Sequence, residues 1–188
     1  MNSAKAIIFS SDFDLTLGYQ QPNEEEVWTL EDYTLLLEQL LQQERNLQFS
    51  TFTNQTAIRL GNAIVERAVA MDKLIVVDIR KNGQVLFHAK MNDTGPNNDR
   101  WIARKINTAN HFGHCSYYMH VLYKSWNTTI QDNAFVDPME YAAEGGCFPV
   151  YIRNAGQVGT ISVSGLSGEE DHEMIVSVLE PFLKAEQD

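Results

Sequence analysis

Apolar positions recur along the chain at helical spacing in some stretches and at strand spacing in others. In TLEDYTLLLEQLLQQ, from residue 29, Leu30, Tyr33, Leu37, Leu40 and Leu41 form one stripe. Thr29 supplies a cap there, and Glu31 and Asp32 an acidic first turn that suits the helix dipole. A second helix is predicted over TNQTAIRLGNAIVERAVA, with Ala57, Leu60, Gly61, Ile64, Val65 and Ala68 facing inward. Gly61 costs a helix interior about 1 kcal/mol against alanine, so it is expected to pack closely against a neighbouring backbone.

LIVVDIR and QVLFHAK are β-rich runs joined by Lys81, Asn82 and Gly83, and Asn-Gly predicts a tight hairpin. A helix over DRWIARKINTANHF follows, capped by Asn98 or Asp99, ended by Gly113, and burying Trp101, Ile102, Ile106 and Ala109. CSYYMHVLYKSW fits neither period well and is read as helix. Asp137-Pro138 predicts a short helix that Gly145-Gly146 stops. CFPVYIR and QVGTISVSG form a second antiparallel pair across Asn154-Ala155-Gly156. Ser167 and Glu170 make a capping box for a last helix that buries Met174, Ile175, Val178, Leu179 and Phe182. Two hairpins among helices predict an α+β fold, one antiparallel sheet between helical layers. Residues 1–28 read as an N-terminal extension, with an apolar run and then an acidic stretch, and residues 29–188 as the domain.

Composition narrows the partners. The 188 residues are 44% hydrophobic and carry a formal charge of −11, which repels nucleic acid and anionic membrane surfaces. No apolar run approaches the roughly 20 residues of a membrane span. Without a secretory leader and with only Cys115 and Cys147, a cytoplasmic protein with reduced thiols is expected.

Candidate chemistry is scattered. IIFSSDFDLTL resembles the phosphatase motif of the haloacid-dehalogenase type, in which Asp12 would be nucleophile and Asp14 acid and base. The acidic pair that such an enzyme needs at a later strand end is missing, so chance similarity is favoured. His111, His114 and His120, with Met119, could ligate haem iron or a metal; hydrogen-bonded histidines beside an oligomer interface are the preferred reading. No dedicated metal site is expected. Arg100, Arg104 and Lys105 form the most basic patch, either a clamp for a small anion or a face of structural ion pairs. Gly145, Gly146 and SVSGLSGEED read as packing and capping features, because Glu169, Glu170 and Asp171 would repel a phosphate. Asp171 and His172 are adjacent on a helix and so point apart. Both cysteines are expected to be buried small hydrophobes, and Tyr117, Tyr118, Tyr123 and Trp126 to form a subunit interface.

FSTFTNQTAIRLGNAIVERA, NNDRWIARK, FGHCSYYM, EYAAEGGCFPV and VGTISVSGLSGEEDHEMIV occur in one order. Together they resemble the uncharacterised cytoplasmic proteins of bacteria and fungi grouped with the haem-degrading-domain, or GlcG-like, family. The resemblance runs from about residue 29 to residue 183. It implies a profilin-like three-layer α/β/α fold with a five-stranded antiparallel sheet, and a symmetric homo-oligomer. It implies no established reaction; distant relatives are associated with haem, and a fungal member with chaperone adaptors of tail-anchored protein targeting. Glu144 stands where many relatives have histidine, and Cys115 where many have serine.

The expectation is therefore an oligomeric domain that binds a small anionic ligand or haem, without a defined reaction. Arg104, Lys105, His114, Ser116, Gly145, Gly146, Ser164 and Asp171 are the candidate ligand-binding residues. The alternatives are a chaperone adaptor acting through the tail from Ala185 to Asp188, a haem- or metal-linked redox enzyme, and the phosphatase. The cofactor is left open, with haem as candidate.

Overall fold

The computed structural model describes residues 28–133 and 135–186. Its first helix, α1 (Leu30–Asn46), starts where expected: Thr29 and Asp32 cap one another, each side chain accepting the other's backbone N–H. Its buried stripe is Leu36, Leu40 and Glu44, with Tyr33 and Leu37 at the margin. Leu30, expected on that stripe, is exposed; Trp28 rather than Leu30 packs beside Tyr33 against the core.

Helix α2 (Asn54–Ala70) buries Ala57, Leu60, Gly61, Ile64 and Ala68. Gly61 does pack tightly, but against the ring of Phe87 rather than a backbone: an added Cβ would lie 2.4 Å from it. Strands β1 (Val76–Lys81) and β2 (Gln84–Lys90) form the predicted hairpin, with Asn82 and Gly83 both at positive φ. Helix α3 (Pro96–Phe112) begins before the cap predicted at Asn98 or Asp99. Pro96 occupies its first position, where no N–H is needed, and Asn98 instead accepts the Gly95 N–H. Gly113 ends it in the left-handed conformation.

The ambiguous aromatic stretch is a helix, α4 (Ser116–Ser125). Its period was blurred because it is enclosed: it packs against α1, α3, α5 and β3, and Tyr117, Met119, Val121 and Tyr123 are all buried. Tyr117 and Tyr123 therefore belong to the interior of the chain, and of the predicted interface aromatics only Trp126 is prominently exposed. A 3-10 turn, Ile130–Asp132, follows. The helix predicted from Asp137 is a single turn, since the chain then runs alongside α3, where the Ala142 N–H bonds to Thr108 and to the Arg104 carbonyl. Strands β3 (Cys147–Ile152) and β4 (Gly156–Ser164) make the second hairpin, and α5 (Gly168–Ala185) starts at the Ser167/Glu170 capping box.

All strand pairs are antiparallel, in the order β2-β1-β4-β3. The described residues hold four strands, against the five implied by the resemblance. At the β3 edge the connector between α1 and α2 contributes only an isolated bridge, Phe49 to Ile152, in which Phe49 bonds to the Tyr151 carbonyl and the Arg153 N–H. Helices α2 and α5 cover one face of the sheet and α3 the other. The first face is apolar: Val77, Ile79, Phe148, Val150, Ile161 and Val163 meet Leu60, Ile64, Ile175 and Leu179. Beneath α3 the apolar set is small, Val76 and Cys147 with Ile102, Ile106 and Ala109, and it lies beside buried Asp78, Thr160, Ser162 and Ser164.

Gly61→Ala is expected to destabilise the fold by about 1–2 kcal/mol despite alanine's better helix propensity, because the methyl group invades the Phe87 ring. Urea unfolding should show Gly61→Ala combined with Phe87→Leu recovering part of that loss.

Candidate functional site

Lys105 lies on the buried stripe of α3, between Ile102 and Ile106, where an apolar residue would be ordinary. Its ammonium donates to Asp171 Oδ2 at 2.7 Å and to the Val163 carbonyl at 3.3 Å. Both side chains of the pair are almost wholly buried. Asp171 sits in the acidic first turn of α5, and its Oδ1 accepts the Leu166 N–H at 3.0 Å. Burial pushes its carboxyl up to about 6, against the pull of Lys105 and of the Leu166 and Gly165 N–H groups.

Two glycines permit this arrangement. Gly146 has φ +106°, and a side chain there would fall 2.7 Å from the Lys105 ammonium. Gly145 runs against the Gly168 backbone, so the entry to β3 and the start of α5 can touch.

Above the pair opens a cleft of about 390 Å³ between the first turns of α3, the β4–α5 turn and Glu144. Asn98, Trp101, Lys105, Glu144, Ser164 and Asp171 are its principal side chains. Burial raises the Glu144 carboxyl, but His120, Lys105 and Lys124 outweigh it and hold the group below the ordinary glutamate range. His120 Nδ1 stands 3.3 Å from Glu144 and 2.9 Å from the Ala143 carbonyl. With Lys105 balanced by Asp171, Glu144 leaves the cleft net negative.

Of the sequence-predicted residues, the structure brings Lys105, Ser164 and Asp171 into this cleft and sets Gly145 and Gly146 beside them. Arg104 turns away: its guanidinium lies over the Trp101 ring and donates to the Pro138 and Tyr141 carbonyls. Arg100 is exposed, so the three basic residues do not converge into a clamp. Ser116 fastens α4 to β3, its hydroxyl accepting the Cys147 N–H at 3.0 Å. His114 is held by Glu44, Nδ1 to Oε2 at 2.8 Å, and this contact raises its pKa.

The predicted histidine cluster does not assemble, and among the described residues no group of side chains is placed to hold a metal ion. His111 packs edge-on against Phe112 and Tyr141. His172 faces away from its neighbour Asp171, against the Tyr117 and Phe148 rings, with Nε2 2.9 Å from Gln43 Oε1. Burial lowers its pKa to about 3 and leaves Nδ1 without a hydrogen-bond partner. Both cysteines are buried thiols: burial drives Cys147 up to about 12 and Cys115 well above its ordinary value. Glu186 pairs with Arg59, while Gln187, Asp188 and the Asp12-x-Asp14 motif lie outside the described residues. The parallel sheet that a phosphatase of that type requires is not found among them.

The sequence reading missed three components. Trp101, expected in the core, lines the cleft. Glu44 reaches His114 and Cys115 across some 70 residues of sequence. Asp78, inside an apolar strand, binds Arg80 at 2.7 Å and His88 at 3.0 Å, with Asp99 beyond His88. Only the last left a trace, as an acidic residue in an otherwise apolar run.

A family model described as "Haem degrading protein HbpS-like" matches residues 52–180. A UPF0303 protein of Streptomyces coelicolor is 41% identical over 145 residues, covering 77% of this chain and 92% of that protein. The solved Ybr137w protein is 36% identical and superposes with a TM-score of 0.76 over 81% of this chain and 90% of its own. A PduOC protein solved as a haem complex shares the fold alone, with 18% identity and a TM-score of 0.59 over 69% of this chain and 94% of its own.

Replacing Lys105 with methionine should cost about 3–5 kcal/mol, since it strands a buried carboxylate. Adding Asp171→Asn, which keeps an acceptor for Leu166, should recover much of that in urea unfolding. His172 binds a proton near pH 6.5 when unfolded but only near 3 when folded, so its contribution is present above 6.5 and is lost as pH falls towards 3. Asp171 has the opposite sign: its contribution is full below 3.8 and is lost as pH rises through 6. Thermal melts should therefore show the gap between the native chain and His172→Gln narrowing by about 1–2 kcal/mol from pH 7 to pH 5.

Proposed function

Because the chain belongs to the HbpS-like haem-degrading protein family, we propose that it is a binding domain with no reaction of its own, whose small-molecule site is the cleft over Lys105 and Asp171. The observation that carries this is the buried ion pair at the foot of an open cavity lined by amide, hydroxyl and carboxylate groups. Polar side chains converging in a pre-formed cavity are what a small ligand needs for orientation. The net negative balance favours a neutral polar or amine-bearing molecule over the small anion expected from the basic patch.

Haem itself does not suit this cleft. Its lining offers no imidazole, thiolate, thioether or phenol, the side chains that hold haem iron. Haem-type binding is nevertheless supported by the fold shared with the PduOC haem complex, and belongs elsewhere on the chain. Self-association of the domain, residues 29–188, is supported by Trp126, Phe135 and Met139, all exposed apolar side chains around the α4–β3 connection.

Calorimetric titration with small amines, amides and carboxylates tests the cleft. Saturable binding of an amine or amide is expected, weakened at least tenfold by Trp101→Ala or Glu144→Gln, with carboxylates weaker. Absence of saturable binding by any of the three classes overturns the cleft as a ligand site. Sedimentation equilibrium should return a multiple of the 21.3 kDa chain mass; a stable monomer removes the assembly.

A further inference from the structure

The segment joining α3 to α4 carries an arrangement that neither the cleft nor the core accounts for. Glu44, near the end of α1, is 6% exposed, and both of its oxygens are used. Oε1 accepts the Cys115 N–H at 2.6 Å, which fastens the start of α4. Oε2 takes His114 Nδ1 at 2.8 Å. The His114 side chain keeps 36% of its surface open, and no described residue bonds to its Nε2.

Fastening α4 needs only the first of these contacts. The second spends the other oxygen of a buried carboxylate on fixing the tautomer and orientation of a partly exposed imidazole, Nδ1–H inward and the Nε2 lone pair outward. That is how proteins prepare a histidine to ligate a metal, the inward N–H being given to a carboxylate that raises the basicity of the outer nitrogen. The Tyr118 ring, with its centroid 4.5 Å from that of the imidazole, walls one side.

The other histidines lack the combination. His172 is buried, His88 has Asp78 and Asp99 at its two nitrogens, and His111 packs on rings with no carboxylate behind it. His120 shares Nδ1 between a backbone carbonyl and Glu144, with less of its surface open.

The metal must bring its other ligands with it. A bare zinc or nickel ion needs three or more protein donors, and among the described residues no such group exists around His114. A metalloporphyrin arrives with its equatorial positions filled and needs one axial side chain. We propose that His114 Nε2, oriented by Glu44, is the axial ligand through which this chain holds a haem-type macrocycle, at a site separate from the cleft. This rests on the haem-binding part of the function proposed above.

Ferric haem titrated into the native full-length chain, followed by the Soret band and by electron paramagnetic resonance, provides the test. One equivalent should bind with an imidazole-ligated spectrum. His114→Ala should lose that signature and bind at least tenfold more weakly, and added free imidazole should restore the spectrum. Glu44→Gln should keep the signature while weakening haem by about tenfold or more. His111→Ala should behave as the native chain, with circular dichroism confirming that each variant is folded. An unchanged spectrum in His114→Ala overturns the assignment while leaving haem binding intact; no binding by the native chain overturns both. Equally tight binding of iron-free protoporphyrin, or of zinc alone, also overturns it.

Discussion

A lysine and an aspartate cannot both be buried unless the surrounding chain meets every need of their charges. Lys105 and Asp171 answer each other's charge: the ammonium reaches a carboxylate and the Val163 carbonyl, with its remaining N–H at the foot of the cleft, and the carboxylate also receives the Leu166 N–H. Three elements are thereby fixed to one another, the middle of α3, the end of β4 and the first turn of α5. Because an unpaired charge there would cost several kcal/mol, the fold is held to the arrangement in which all three meet. The cleft is the space left above that junction.

The two faces of the sheet divide the work. Beneath α2 and α5 the side chains are apolar and close-packed, and that side supplies most of the buried hydrophobic surface. Under α3 the strands present Asp78, Thr160, Ser162 and Ser164, and a single helix covers them with a small apolar set. Buried polar groups need partners, so this face is where side chains are oriented rather than merely packed. The cleft lies at its rim, and the Asp78–His88–Asp99 chain ties β1 and β2 to the first turn of α3.

Neighbouring residues can be sent to opposite tasks by helix geometry alone. Asp171 faces α3 and His172 faces the α1–α4 side, and burial moves each towards its neutral form. Their proton linkages oppose one another between about pH 4 and 6. Glu44 shows the converse, two residues distant in sequence made into one unit: a carboxylate on α1 sets the start of α4 and the pose of His114 at once.

Local patterns were enough for the parts of this protein that local physics decides. Asn82-Gly83, Thr29 with Asp32, Ser167 with Glu170 and Gly113 each announce their turn or helix end, since the groups that satisfy them lie within a few residues. Lys105, Asp171, Ser164 and the two glycines could be named as candidates from residue type and resemblance. The identity of their partners could not be read, because Lys105 to Asp171 spans 66 residues and Glu44 to His114 spans 70. Tertiary packing also enclosed α4 until its period vanished, drew the segment after Asp137 along α3 instead of into a helix, and turned Arg104 onto Trp101 and away from the cleft. Such outcomes depend on which surfaces meet, and a one-dimensional pattern carries no record of that.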